Sequence, residues 1–554
     1  MSNEPTVNFD LGRADLGEHL TRTRRYLVGD VLRKNARTNS GAIAAVGLED
    51  EEQSYGELND RVNRLANSLL NRDIDYGSTV AILSENRLEF AETVYAGAKL
   101  GALVPTINWR LEREELLHCL EVVDADAVVI SGNQPERHEW VAASELDPIV
   151  ISLDDVSWGS DYEALLKESS TDEPTPSREP TPEDGVTVFY TSGTTGLPKG
   201  TVVSHRALLY RALTWKQVAG LGPDFVAWSP MFHMVTTEPL FGVGIDGGTF
   251  YLVDGFDAGR VLELLVNSDC GYIPLMPGII GPLLEEAKAE GYTAADFESV
   301  QYIGTMADLV GASQLQAVTE LFGAEYVNTF GSTEVGVTPL SGSTIPVGAY
   351  PTKDDLSKRE GPLCDVKLVD ESWNEIPQGE YGELAVRGPT LFSGYVGRET
   401  ANQEEFEDGW FRTGDMFVRN EDGSYDFIDR RKYLIKSGGE NIYPAELERV
   451  LLDQSEVTEA VAVRVPDEEW GEVPKVYAAL EEGASLTGEQ LLERLRGRIA
   501  SYKLPHYVEF VDVEAFPRST TGKVLRGDVE EWSVSAGQRV RSPRSSEAEP
   551  EEGT

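Results

Sequence analysis

Helical and strand-like patterns alternate along the first 165 residues of the chain. Residues 60–72 are amphipathic, residues 79–83 are strand-like, residues 89–101 are helical and residues 127–130 are strand-like again. Such alternation is typical of an α/β fold, because parallel neighbouring strands need crossover helices between them. With 554 residues the chain is too long for one hydrophobic core, so two or more domains are expected.

The pattern changes in the second half of the chain. The α/β alternation resumes at residue 186 and continues to about residue 337, and short strands with turns follow from residue 361. After residue 430 comes a compact stretch that mixes helices and strands. We therefore predict a large N-terminal domain of α/β sheets with a small β-barrel-like subdomain, followed by a small α+β domain.

The chain is strongly acidic along its whole length. It has 95 acidic and 48 basic residues and a formal net charge of −47. Such a field repels nucleic acid and anionic membranes, so neither is an expected partner. We expect adaptation to a salt-rich cytoplasm, since the Debye length falls to roughly 3 Å at 1 M salt. Full activity and an unchanged melting temperature in salt-free buffer would contradict this expectation.

The location of the protein and its cysteines can also be predicted. No run of about 18 apolar residues occurs, and the N-terminus lacks a basic segment followed by an apolar one, which predicts a cytoplasmic protein without membrane insertion. The cysteines, Cys119, Cys270 and Cys364, have no metal-ligand spacing and leave an odd thiol in any disulfide scheme. We interpret them as small core residues.

Residues 191–200, TSGTTGLPKG, combine four hydroxyl side chains, three glycines and one lysine. A buried strand is predicted before them at residues 186–190, and a helix after them at residues 205–218. A Gly-rich turn in that setting exposes backbone N–H groups that suit a phosphate. A P-loop needs glycine where Pro198 stands, so a kinase-type P-loop is excluded. A flexible surface loop stays open as the alternative for these ten residues alone.

Five separated stretches share one order along the chain. They are residues 190–200, residues 328–334 (NTFGSTE), residues 410–415 (WFRTGD), residues 429–441 (DRRKYLIKSGGEN) and residues 517–523 (PRSTTGK). Together they resemble the adenylate-forming family of acyl-CoA synthetases, adenylation domains of peptide synthetases and luciferases. The resemblance extends from roughly residue 25 to residue 530.

The resemblance implies a two-step reaction that uses ATP, Mg²⁺ and coenzyme A. A carboxylate attacks the α-phosphate of ATP to give acyl-AMP and pyrophosphate, and a thiol then displaces AMP. Both partners of the first step are anions, so the site must neutralise charge as well as align atoms. The implied partners are small molecules, namely a carboxylic acid, ATP and coenzyme A, and a homodimer is compatible with the resemblance.

The first stretch resembles a phosphate-binding loop of the family. The residues that resemble its cradle for the β- and γ-phosphates are Thr191, Ser192, Gly193, Thr194 and Thr195. Lys199 resembles its mobile cation; by itself it would be an exposed loop charge. In the second stretch Phe330 resembles the ring that packs on adenine, Thr333 the contact to the α-phosphate and Glu334 the Mg²⁺ ligand. Without the motif, Phe330 would be interpreted as a core aromatic residue.

The later stretches imply the nucleotide contacts and a moving domain. Asp415 resembles the carboxylate that accepts both ribose hydroxyls, and Arg430 the arginine near ribose and phosphate. Lys432 falls at the family's hinge. The implied organisation is an adenylation core at residues 1–429, a hinge at 430–432, a mobile domain at 433–534 and an acidic flexible tail at 535–554.

Two residues of the small domain resemble groups that act in different half-reactions. Lys523 resembles the lysine that bridges the substrate carboxylate and the phosphate during adenylation. Gly439 aligns with the glycine beside which the pantetheine arm threads, where the absence of Cβ permits a close approach. A tight turn that needs positive φ would also explain Gly439, and both interpretations can hold.

The acyl substrate is predicted less sharply. His233, in the segment PMFHM, resembles the histidine near the acyl carboxylate in acyl-CoA synthetases, where amino-acid-activating relatives generally carry Asp. The acid is therefore predicted to lack an α-amine, and a fatty acid is the leading candidate. Residues 304–308 depart from the family through Met306 and Asp308, so chain length cannot be read. Glu238 is interpreted as a solvated acid in preference to a tunnel residue.

The leading hypothesis is thus an ATP-dependent acyl-CoA synthetase. An acyl-AMP ligase that serves a carrier protein is the alternative, although no carrier-protein serine motif follows the small domain. A nucleotide-binding regulator without chemistry would require the loss of Lys523, Glu334 or Asp415, and all three are present.

Overall fold

The largest sheet shows how the alternating N-terminal pattern folds. The computed structural model of the chain describes residues 25–191, 197–220, 222–454, 456–467, 470–481, 483–519, 522–532 and 538–539. The eight strands of this central sheet follow the order Gly394–Tyr395, Lys199–Ser204, Gly185–Thr191, Val104–Thr106, Val80–Leu83, Ala127–Ile130, Ile149–Ser152 and Ser160–Asp161. From Gly185–Thr191 onward the neighbouring strands are parallel. The predicted α/β fold is confirmed.

Helices cross between these strands and extend beyond them. The α-helices are Val28–Thr38, Tyr55–Leu70, Leu88–Leu100, Arg113–Val122, Pro135–Ala142, Tyr162–Lys167, His205–Ala219, Met234–Asp246, Ala258–Asn267, Pro277–Glu290, Ala312–Phe322, Glu399–Glu405, Pro444–Leu452, Gly488–Leu495 and Arg526–Glu530. The short 3-10 helices are Ala294–Asp296, Ala307–Leu309, Lys353–Leu356, Arg431–Tyr433, Ser501–Lys503 and Val513–Ala515. The helix predicted at residues 60–72 begins earlier, because Ser54 and Glu57 form a capping box.

Two smaller sheets complete the α/β part of the large domain. One has the strand order Phe225–Ala227, Phe250–Leu252, Ile43–Val46 and Glu52–Ser54, and the other Tyr272–Ile273, Tyr302–Ile303, Glu325–Ser332 and Gly336–Ile345. In each sheet the last pair of strands is antiparallel and the other neighbours are parallel. The antiparallel hairpin that ends the second sheet brings Glu334 to its tip.

The segment around TSGTTGLPKG corrects the sequence prediction. Residues 199–204 are not part of a strand-to-helix loop but form the strand Lys199–Ser204, antiparallel to Gly185–Thr191. Thr191 and Lys199 are the last paired residues of this hairpin. The β-branched run at residues 201–203 explains the strand, because such side chains pack well on a half-buried sheet. The helix predicted to follow is present as His205–Ala219.

An antiparallel five-stranded sheet closes the large domain. Its order is Asp365–Val369, Tyr381–Arg387, Trp410–Arg419 and Phe406–Glu407. The fifth strand, Tyr425–Arg430, pairs with the second half of Trp410–Arg419. This curled sheet confirms the predicted small β-subdomain. Its hydrophobic residues join the main core of the large domain, where Phe417 and Tyr425 are buried.

The C-terminal α+β stretch has a sheet and hydrophobic clusters of its own. The sheet runs Glu440–Ile442, Ile435–Ser437, Gly471–Leu480, Tyr507–Phe510 and Gln538–Arg539, and Val457–Asp467 pairs with Gly471–Leu480. Its core lies among residues 435–508, separate from the core of the large domain. The 3-10 helix Arg431–Tyr433 connects the two parts.

The sequence predicted a protein without membrane insertion and a core position for its cysteines. In the described parts of the chain, every helix is too short or too polar to cross a membrane. Cys119 and Cys270 are buried, as predicted for core residues, whereas Cys364 is only partly buried beside the main core.

Candidate active site

Glu334 lies at the tip of the hairpin between Glu325–Ser332 and Gly336–Ile345, and protein groups hold it from two sides. Its backbone carbonyl accepts hydrogen bonds from the Arg211 guanidinium at 2.8 Å and from the Phe392 N–H at 2.9 Å. Its carboxylate accepts one from the Tyr395 hydroxyl, with 2.9 Å between the oxygens. The residue is partly exposed, so a fixed carboxylate faces the open side of the hairpin.

Lys199 lies over the ring of Tyr395, whose hydroxyl binds this carboxylate. Its Nζ stands 4.9 Å from the centre of the Tyr395 ring and 3.7 Å from Oε1 of Glu405. Thr191 pairs with Lys199 across the hairpin and is partly buried. The rest of the predicted phosphate cradle, namely Ser192, Gly193, Thr194 and Thr195, lies outside the described residues.

Asp415 and Arg430 face each other on neighbouring strands. They are register partners in the curled sheet, and Arg430 Nε donates to Asp415 Oδ1 at 3.1 Å. Asp415 is 1% exposed, and its Oδ2 is buried without a hydrogen-bond partner. Burial raises the pKa of Asp415, and the charges of Arg430 and Lys523 oppose that rise. An orphan buried carboxylate oxygen fits a ligand that donates hydroxyl protons.

Lys523 reaches the same region from the small domain. Its backbone forms a tight loop with Ser519, which donates its N–H to the Lys523 carbonyl at 2.7 Å. The loop touches the large domain, since a Cβ on Gly278 would lie 3.1 Å from the Gly522 carbonyl oxygen. Lys523 also lines a crevice with Pro277 of the large domain.

The charges of Arg430 and Asp415 act on the Lys523 ammonium. Lys523 is an exposed residue, but the protein groups packed around its ammonium displace water and lower the pKa of Lys523 to about 8. The positive charge of Arg430 lowers it further, and the carboxylate of Asp415 opposes this. The structure therefore brings Glu334, Asp415, Arg430 and Lys523 together, although they come from both domains.

Other predicted residues lie around this cluster or away from it. Phe330 is 3% exposed and packs edge-on against Phe417, with 4.9 Å between the ring centres. Thr333 is partly exposed beside Glu334. Lys432 is exposed over the Tyr433 ring, and Gly439 is exposed in a hairpin turn with φ of 87°. That turn by itself requires a glycine-like conformation at Gly439.

His233 caps the helix Met234–Asp246. Its Nδ1 atom is buried without a hydrogen-bond partner, and burial lowers the pKa of His233 to about 4. The imidazole is therefore neutral at physiological pH. A neutral ring with an unused buried nitrogen can meet a polar group of a ligand without adding a positive charge.

The interpretation of Glu238 as a solvated acid is wrong. It is not solvated but wholly buried, and its Oε1 pairs with Arg211 Nη1 at 2.6 Å. Its Oε2 accepts a hydrogen bond from Trp215 Nε1 at 3.3 Å. Burial raises the pKa of Glu238 and Arg211 opposes the rise. Because both oxygens have donors, Glu238 is not available to a substrate.

The unusual segment at residues 304–308 is likewise explained by packing. Asp308 forms an ion pair with the buried Lys358. Gly304 has φ of 86°, and a Cβ there would lie 2.2 Å from the Tyr326 ring. Met306 packs against the main core. The departures at Met306 and Asp308 thus satisfy the core and a buried lysine.

Sequence reasoning missed three residues that build this site, namely Arg211, Tyr395 and Glu405. None carries a local signal, because Arg211 and Tyr395 reach Glu334 from 123 and 61 residues away in the chain. Glu405 is one of 95 acidic residues. The pairing of the strand Gly394–Tyr395 with Lys199–Ser204 brings Tyr395 next to Lys199, and local sequence does not predict this pairing.

The acidic residues of the site bear on whether it can hold a metal ion. Among the described residues, no three or more His, Cys, Asp and Glu side chains form a group that could hold a metal ion. Glu334 alone still fits Mg²⁺, which usually takes one or two carboxylates together with phosphate oxygens and water.

Most of the chain matches known protein families. The model of the AMP-binding enzyme family matches residues 32–396, and that of the AMP-binding enzyme C-terminal domain matches residues 446–523. The indoleacetate–CoA ligase of Aromatoleum aromaticum is 32% identical over 505 residues, which cover 88% of this chain and 94% of that protein. The feruloyl-CoA synthase of an Amycolatopsis species is 33% identical over 489 residues, which cover 86% of this chain and 93% of that protein.

A solved structure shares the fold. The o-succinylbenzoate CoA synthetase of Bacillus subtilis, in complex with its acyl-adenylate intermediate, superposes with a TM-score of 0.78 at 27% identity. The match covers 92% of this chain and 99% of that one.

Proposed function

Because the chain belongs to the AMP-binding enzyme family, we propose that the cluster of Glu334, Asp415, Arg430 and Lys523 binds ATP and activates a carboxylic acid. The protein is an acid–thiol ligase of the AMP-forming type, and such ligases use ATP and coenzyme A. One observation supports the residue assignment: Asp415 Oδ2 is a buried oxygen without a hydrogen-bond partner beside Arg430, and the loop that carries Lys523 contacts Gly278 of the large domain.

The first step follows from the charges of these groups. Asp415 would accept the ribose hydroxyls through its orphan Oδ2, while Arg430 keeps Oδ1 in place. Lys523 would neutralise the attacking carboxylate and the α-phosphate, and Lys199 the departing pyrophosphate. Glu334 would hold Mg²⁺ and Thr333 the α-phosphate, and a bound Mg²⁺ would neutralise part of the phosphate charge.

The second step requires the small domain to move. We propose that residues 430–432 act as the hinge, since the 3-10 helix Arg431–Tyr433 joins two separate cores. The side chain of Lys432 is exposed and lies over the ring of its neighbour Tyr433, so a change in its backbone angles would not disturb a buried contact of this side chain. Rotation would withdraw Lys523 and present Gly439, whose exposed turn leaves space for a pantetheine arm.

The acid is proposed to lack an α-amino group. His233 stands at the helix start with a neutral ring, and the nearby Glu238 is satisfied by Arg211 and Trp215. An ammonium group would therefore find no free carboxylate at Glu238. The fatty acid predicted from the sequence is one candidate. An aryl or arylalkyl acid is the second, because the similar ligases are named for indoleacetate and ferulate.

A pyrophosphate-release screen at high KCl tests this proposal. Straight-chain fatty acids, indoleacetate, ferulate and o-succinylbenzoate would be compared with amino acids, each with and without coenzyme A. We expect pyrophosphate with at least one acid that lacks an α-amine, and release of AMP only when coenzyme A is added. Release of AMP to a carrier protein but not to coenzyme A would favour an acyl-AMP ligase. Activity with amino acids alone would contradict the proposal.

A further inference from the structure

Glu405 lies in the active-site wall, at the end of the helix Glu399–Glu405, without an assigned role. Its Oε1 stands 3.7 Å from Lys199 Nζ, and its side chain is 31% exposed. Its carboxylate also lies within hydrogen-bonding reach of the Tyr395 hydroxyl, which donates to Glu334. The Tyr395 hydroxyl thus lies between two carboxylates that repel each other, and the Lys199 ammonium pairs with one of them, Glu405.

The backbone fixes this arrangement. Tyr395 pairs with Thr201 across antiparallel strands, which places the Tyr395 ring diagonally beside Lys199. The side chain of Asn402 in the helix Glu399–Glu405 accepts from the Tyr395 N–H and donates to the Tyr395 carbonyl, both at 2.8 Å. The helix end that carries Glu405 is therefore clamped to the strand that carries Tyr395.

We propose that Glu405 is a positioning residue that holds Lys199 over the Tyr395 ring before nucleotide binds, and that phosphate must displace Glu405 from Lys199. This inference rests on the proposed role of Lys199 toward phosphate. Because Lys199 is already paired, each phosphate group that binds it breaks the contact with Glu405. Glu405 therefore weakens the binding of both ATP and pyrophosphate, and weaker binding of pyrophosphate helps its release.

The size of the effect follows from the exposure of the pair. A partly exposed ion pair of this kind contributes at most about 1 kcal/mol, which corresponds to about fivefold in a binding constant. The variant Glu405→Gln should therefore bind ATP and pyrophosphate about three- to fivefold more tightly than the unaltered protein.

The test is an equilibrium titration of the full chain with MgATP and with pyrophosphate at fixed KCl. It needs no acid substrate, so a failed search for the acid leaves it intact. Glu404→Gln is the matched control, because it removes the same charge from the exposed neighbouring residue. It should change either dissociation constant by less than about twofold. Thermal melting of Glu405→Gln and Glu405→Ala checks that the fold is kept.

A double-mutant cycle separates the contact with Lys199 from a general field effect. In a Lys199→Met background, Glu405→Gln should no longer change the affinity for either ligand, because Glu405 acts through Lys199. Unchanged or weaker binding by Glu405→Gln and Glu405→Ala overturns the proposal. An equal gain with Glu404→Gln, or a gain that persists in the Lys199→Met background, overturns it as well.

Discussion

Two carboxylate–guanidinium pairs of the large domain, each with a buried carboxylate, differ in a way that separates scaffold from binding site. In the pair of Glu238 and Arg211 both side chains have no exposed surface, and both carboxylate oxygens have donors. In the pair of Asp415 and Arg430 the guanidinium side chain is 42% exposed, and one carboxylate oxygen has no partner. Burial raises the pKa of both carboxyl groups.

The difference indicates what each pair does. A buried charge is tolerated when every polar atom is satisfied, so Glu238 and Arg211 can form a permanent part of the core. Arg211 also donates to the backbone carbonyls of Glu334 and Thr390, and thereby fixes one wall of the site. Asp415 retains an unsatisfied oxygen beside Arg430, which costs stability until a ligand supplies a donor.

Substitution of Asp415 should give the largest effect on function. In Asp415→Asn the charged acceptor for the ribose hydroxyls is lost, and kcat/KM for ATP is expected to fall by about 100-fold or more. The melting temperature should stay the same or rise, because a buried and incompletely satisfied charge is removed. Steady-state kinetics and thermal melting check both outcomes. A large loss of stability with little kinetic change would place Asp415 with the scaffold instead.

Substitution of Glu238 should affect mainly stability. In Glu238→Gln the guanidinium of Arg211 is left buried without its counter-ion, so the free energy of unfolding is expected to fall by about 3–5 kcal/mol. Chemical denaturation at fixed KCl measures this change. The paired replacement Arg211→Met with Glu238→Leu is the control, and it should recover a large part of the loss. A cost below about 1 kcal/mol for Glu238→Gln would show that the pair is not a scaffold element.

The pH dependence of acyl-AMP formation should follow the titration of Lys523. The pKa of Lys523 is lowered to about 8, so its positive charge is present below that pH and lost as the pH rises through it. We expect kcat/KM for ATP in acyl-AMP formation to fall above about pH 8, by at most about tenfold per pH unit. The variant Lys523→Arg should shift this decline upward. A profile that is flat in the unaltered protein through about pH 9.5 would contradict the charge role.

Local sequence patterns predicted a substantial part of the fold. Continuous apolar runs identified the buried strands Val80–Leu83 and Ala127–Ile130, because parallel strands are covered on both faces. The strand Lys199–Ser204 was missed, since its first two residues belong to a Gly- and Pro-rich motif that favours a turn. Its identity depends on pairing with Gly185–Thr191, which the local pattern does not contain.

The candidate site shows a similar limit. Asp415, Arg430, Glu334 and Lys523 lie in motifs, and the structure brings them together. Glu238 was misinterpreted because an isolated acid in an acidic chain favours a solvated position, whereas its partner Arg211 lies 27 residues away on another helix. Glu405 had no signal for the same reason. Long-range partners of buried charges are set by packing rather than by local composition.

The half-reactions of Lys523→Ala test the account most directly. Acyl-AMP formation would be followed by pyrophosphate release, and thioester formation by adding synthetic acyl-AMP and coenzyme A. Because Lys523 is proposed to act only while the small domain faces Asp415, acyl-AMP formation should fall by about 100-fold or more while thioester formation stays within about threefold. Equal loss of both half-reactions would contradict the account.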